Sequence, residues 1–116
     1  MQIEIQAHGF PLTASLYGHI EQRLLRSLSH IRDDIRKVAV RISDDNGSRH
    51  GNDKRCLIRV AVRGHEDVVV NDIRGDMYTA ITHAAVRAAH SVRKLIRQRR
   101  SRRAPSEADV TNEPFV

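Results

Sequence analysis

Between Asp76 and Pro105 the chain reads as one long amphipathic helix, and its apolar stripe limits what can lie beneath it. Met77, Ile81, Ala84, Ala85, Ala88, Val92, Leu95 and Ile96 recur at helical spacing behind Asp76, which is placed as an N-cap. Small alanines in a buried stripe imply close packing on a sheet. At 100° per residue Arg99 falls on the same side as Ala88 and Val92, so packing stops near Gln98. Residues 101–116 then read as a flexible C-terminal tail.

The rest of the chain supplies that sheet. Residues 2 to 6 alternate, with Ile3 and Ile5 on one side and Gln2, Glu4 and Gln6 on the other, which is the period of a half-buried strand. Gly9 and Pro11 punctuate the chain, Thr13 is placed as an N-cap, and Leu16, Ile20, Leu24, Leu28 and Ile31 mark a helix over roughly 14–31. Val38, Val40 and Ile42 alternate as a second strand, followed by a polar, mobile loop at 44–53. Cys56, Ile58, Val60 and Val62 form a third, and Gly64 to Asp67 turn it into the run Val68 to Val70 as a hairpin. The fold class is α+β: a β-α-β-β-β-α two-layer sandwich, with a four-stranded mixed sheet and two helices on one face. The length of 116 residues holds one domain, residues 1–100, and the tail.

Charge is distributed unevenly along this plan. Residues 1–75 carry 12 basic and 10 acidic side chains, residues 76–104 carry 8 and 1, and residues 105–116 carry 0 and 3. The excess charge therefore sits on one element. A solvated helix interleaves Glu with Lys or Arg at i to i+4, and nothing between Met77 and Ser106 does so. Such an element gains salt-dependent affinity for a polyanion by releasing counterions, so nucleic acid is the leading partner.

The face of this helix opposite the apolar stripe carries His83, Arg87, His90, Arg93, Lys94, Arg97 and Arg100. The first helix offers a flanking stripe of His19, Arg23, Arg26 and His30. Side by side on a sheet, the two stripes merge into a positive ridge about 30 Å long. Arginine forks onto phosphate oxygens and stacks on unpaired bases, which suits folded RNA. With 3% aromatic residues the chain cannot offer a stacking sheet surface of the RNA-recognition-motif kind.

MQIEIQAHGFPLTASLYGHIEQRL at the start, and DIRGDMYTAITHAAVRAAHSVRKLIRQRR over the last strand and helix, resemble the ribosome hibernation promoting factor and ribosome-associated inhibitor family. It is also called the sigma-54 modulation or S30EA family, and the resemblance covers about residues 1–100. The string Asp76-Met77-Tyr78-Thr79-Ala80-Ile81, at the junction of strand and helix, is its most specific piece. The resemblance implies a short-form, non-enzymatic factor of stationary phase or stress. It would sit in the small ribosomal subunit where messenger and transfer RNA lie and block translation by occupancy. The rRNA-binding residues would be Arg87, His90, Arg93, Lys94, Arg97, Arg100, Arg23, Arg26 and His30.

Two competing readings are a general double-stranded RNA-binding module and a regulatory protein-interaction domain whose basic helix meets an acidic partner. An enzyme or metal site finds no support in the sequence. The seven histidines form no HxxxH or HExxH pattern, and Cys56 is in phase with Ile58 and Val60, as a buried core thiol would be. Asp44-Asp45-Asn46-Gly47 is a turn, with no downstream Glu at calcium-loop spacing. Tyr78 either packs into the rim of the core or stacks on a base. The single cysteine, the lack of a secretory pattern at the N-terminus and the lack of a spanning apolar run give a cytoplasmic expectation, with no cofactor, no membrane, no small-molecule substrate and a monomer in solution.

Overall fold

The computed structural model describes residues 1–44 and 53–106, with the side chains of the last helix described as far as Gln98. The elements run β1 (Gln2–His8), α1 (Ala14–Leu28), a 3₁₀ turn (Ser29–Asp34), β2 (Ile35–Asp44), β3 (Lys54–Val62), β4 (Val68–Arg74) and α2 (Met77–Ser106). The four strands form one sheet in the order β1-β2-β3-β4. β1 and β2 are parallel, joined through α1, and the other two pairings are antiparallel. This is the mixed sheet of the expected β-α-β-β-β-α plan.

Register places the alternating residues in layers. Ile5, Val40, Ile58 and Val70 pair in one row across the sheet, and Ile3, Val38, Val60 and Val68 in the next. Both rows point toward the helices and join Leu16, Ile20, Leu24 and Leu28 of α1 in the core. Each fully buried Leu or Ile contributes about 1.5–3 kcal/mol by leaving water. The helices meet the sheet differently. α2 lies close over β3 and β4, with Ala80, Ala84, Ala85, Ala88 and Ala89 among its buried residues, whereas α1 stands farther off on its leucines. Ala80 and Ala89 widen the stripe read from the sequence, and Leu95 is only half-buried.

Three boundaries shift for physical reasons. β1 continues to His8 because β2 pairs with it along its whole length. α1 ends at Leu28, and the chain tightens into the 3₁₀ turn, where Ile31 is non-helical (φ −124°, ψ 18°) yet still packs on the core before β2 starts. α2 continues to Ser106, beyond the expected start of the tail at 101, because its Arg, Gln and Ala are good helix formers and its end falls just past Pro105. Residues 107–116, and residues 45–52 of the expected polar loop, lie outside the described residues.

At the neck of that loop Lys54 Nζ donates to both Asp44 (3.2 Å) and Asp53 (2.9 Å), tying the end of β2 to the start of β3. Gly9 turns the chain out of β1 at φ +87°, and a Cβ there would meet the Asp44 carbonyl oxygen at 3.0 Å. Only glycine fits both the angle and the space.

Candidate nucleic-acid interface

Both helices start from caps that their sequences prescribe. Thr13 Oγ1 accepts from the Leu16 amide (3.1 Å), and Asp76 Oδ2 accepts from the Thr79 amide (2.9 Å) and the Thr79 hydroxyl (2.8 Å). Those two bonds from Thr79 hold the Asp76 carboxyl below the usual range, with nearby His19 adding to the effect.

From these caps the helices run side by side in the same direction. Ser15 Oγ and Tyr78 OH are 3.2 Å apart, His19 Nε2 and Thr82 Oγ1 are 3.4 Å apart, and Arg93 Nη1 donates to His30 Nε2 at 3.3 Å. Each pair is separated by 63 residues in sequence. The same offset relates the caps Thr13 and Asp76, so the helices start in register, and the offset recurs past the end of α1 at His30 in the 3₁₀ turn. The Tyr78 ring meets His19 edge-on, with centroids 4.7 Å apart, closing the N-terminal end of the seam. It is an inter-helix contact, neither core rim nor free platform.

The expected site residues fall into three groups along this seam and ridge. His90, Lys94 and Arg97 are exposed on the outer ridge of α2 and hydrogen-bond to no other described residue. Arg23 and Arg26 share the α1 face of His19, and His30 follows in the 3₁₀ turn; Arg26 and His30 are exposed, Arg23 is half-buried, and His30 is engaged by Arg93. Arg87 faces the other way. Its Nη1 donates to the Asn71 carbonyl oxygen (3.1 Å) and lies 3.4 Å from Asp72 Oδ2, both on β4. The Arg100 side chain is outside the described residues. His83 is exposed on the ridge, and so is Val86, an apolar patch at 56% exposure among the cations.

Sequence reading missed the anchor of Arg87. The Asp72 side chain is 3% exposed at an inward position of β4, where it accepts from Arg74 Nε at 2.7 Å and faces Arg87. Burial alone would raise its pKa, but hydrogen bonds and charge from Arg74 and Arg87 overcome this and hold the carboxyl below its ordinary range. Asp72 also faces Cys56, whose thiol is pushed up to about 12, mainly by burial and then by that charge. A thiol so protonated is an inert core group. Among the described residues no three His, Cys, Asp or Glu side chains are grouped to hold a metal ion.

Parallel helices that start in register and offer a cationic ridge beside a cationic seam can grip a chain of phosphates. The family model described as sigma 54 modulation protein / S30EA ribosomal protein matches residues 3–100. The chain belongs to this family. Its members are ribosome-associated, non-enzymatic factors. Among solved structures the fold is similar to a ribosomal subunit interface protein from Coxiella burnetii (TM-score 0.68, 18% identity, covering 82% of this chain and 97% of that one). It is equally similar to the Protein Y N-terminal domain of Thermus thermophilus (TM-score 0.68, 23% identity, covering 82% and 99%). No curated protein matches the chain. Within the family frame, no helix among the described residues is long and apolar enough to cross a membrane.

Proposed function

We propose that this protein is a cytoplasmic ribosome hibernation factor, which binds the small subunit under stress or in stationary phase and stops translation by occupying the messenger and transfer RNA sites. The observation that carries the reading is the in-register pairing of α1 and α2, which sets Arg23, Arg26 and His30 beside Arg93 and the ridge of His90, Lys94 and Arg97. Phosphate contacts from these side chains position the protein without reading base sequence, and ribosomal RNA supplies phosphates on a folded, rigid surface. Family membership supports the ribosome as the partner over a free duplex. The protein acts as a monomer, by steric exclusion.

Co-sedimentation with ribosomes through sucrose gradients at low and moderate salt tests this. The protein is expected to travel with the small subunit and whole ribosomes, to resist competition by free duplex RNA, and to inhibit translation in an extract in proportion to bound protein. Equal binding to any RNA duplex would favour a general RNA-binding module, and binding that survives RNase and needs no ribosome would favour a protein partner.

A further inference from the structure

The sheet has a second face, turned away from both helices, which no element of the described chain covers. Register assigns its outward residues. On β2 they are Lys37, Ala39, Arg41 and Ser43, and on β3 they are Ala61, Arg59, Leu57 and Arg55, paired in that order. The three arginines therefore alternate between strands: Arg59 beside Ala39, Arg41 beside Leu57, and Arg55 beside Ser43. Diagonal neighbours of this kind stand about 7–8 Å apart.

A sheet face built only to be wet sets acids across from such cations, because like charges near one another cost stability. Here the lateral neighbours are Gln6 for Arg41 and Val69 for Arg59. The acid on the outward strand positions is Glu4, which pairs with Lys37 at 3.3 Å, and Asp67 in the hairpin turn reaches Arg59 at 3.4 Å. Both pairs are largely exposed and exchange readily for another anion. Arg41, at the centre of the zigzag, hydrogen-bonds to no described residue.

We infer that this open sheet face is a second phosphate-binding surface, gripping ribosomal RNA from the side opposite α1 and α2. The inference rests on the ribosome-binding reading above. A second copy of the chain is a poor occupant, since stacking two such faces would bury arginine against arginine. RNA fits better. A flat face cannot enter a groove, but guanidinium forks standing among Ala39, Leu57 and Val69 rise above shorter uncharged neighbours and can hold backbone phosphates. The protein is then held between two RNA surfaces.

The test measures affinity for purified small subunits against salt for the wild type, for Arg41→Gln with Arg59→Gln, and for Lys94→Gln with Arg97→Gln. Losing two phosphate contacts lowers the steepness of log K against log salt by about 1.4–1.8, and each pair is expected to do so independently. Arg41→Lys with Arg59→Lys keeps the charge and is expected to keep the wild-type slope. Arg41→Gln alone, which disturbs no described hydrogen bond, is expected to lower the steepness by about 0.7–0.9. A wild-type slope in both the Arg41→Gln and the paired sheet variants, with a lowered slope in the α2 variant, overturns the second face and leaves ribosome binding standing. Failure of the wild-type protein to bind subunits at all removes the reading beneath it as well.

Discussion

α1 and α2 start from caps in the same register and run in the same direction, yet they meet the sheet in opposite ways. α1 buries large side chains and is held at a distance, while α2 intersperses alanines among Met77, Ile81, Val92 and Ile96 and is pressed down on β3 and β4. A helix resting on leucine contributes burial; one resting on alanine contributes position. The close approach of α2 brings Arg87 within reach of Asn71 and Asp72, and leaves its opposite ridge as a straight row of free cations.

The contrast is broken most strongly at its spacers. Leu24→Ala removes a fully buried side chain from the standing-off helix and is expected to cost about 2–5 kcal/mol, read as a fall in the urea midpoint. Ala88→Leu inserts bulk where α2 touches the sheet and is expected to cost about 1–3 kcal/mol by the same measurement. If Ala88→Leu were neutral, α2 would not be pressed on the sheet as described. Asp76→Ala removes the acceptor at the N-terminus of α2 and is expected to cost about 1 kcal/mol.

Asp76 and Asp72 also fix the sign of the pH dependence. Both carboxyls titrate below the ordinary value of 3.8, so their contribution is present above that pH and is lost as pH falls through the lower folded values. In acid titrations followed by circular dichroism, Asp72→Asn and Asp76→Asn are expected to be less stable at neutral pH and to lose less on acidification. A pH-independent difference from wild type would remove the charge argument.

The smallest effect on stability separates the cations themselves. Lys94→Gln and Arg97→Gln are expected to leave the urea midpoint within about 0.5 kcal/mol, since neither side chain bonds to another described residue. Arg87→Gln is expected to lower it measurably, by releasing its bonds to β4. Equal midpoints for all three would make Arg87 one more ridge cation.

That last distinction marks how far residues alone carry the reading. The strands were legible because Val38 to Ile42 and Cys56 to Val62 alternate without a break, and the caps because Thr13 and Asp76 stand three residues ahead of the amides they satisfy. Arg87 and Lys94 look identical on a helical wheel. Telling them apart needs β4 beside α2, with a buried carboxylate at Asp72 on the inward side, and alternation gave no reason to expect an acid there. The Arg93 to His30 contact was equally hidden, because it depends on two helices keeping one register over their shared length.

The constant offset of 63 residues has a consequence for how this chain tolerates changes in length. Side-chain packing sets that register, so a residue gained or lost between β2 and β3 shifts the numbering of every pair and leaves every pair intact. A residue gained inside α1 turns all that follows by about 100° and swings His30 off the seam. Deletions and insertions are therefore expected to be absorbed in the connections and rejected within the paired turns, which makes the seam the ruler against which the rest of the molecule is measured.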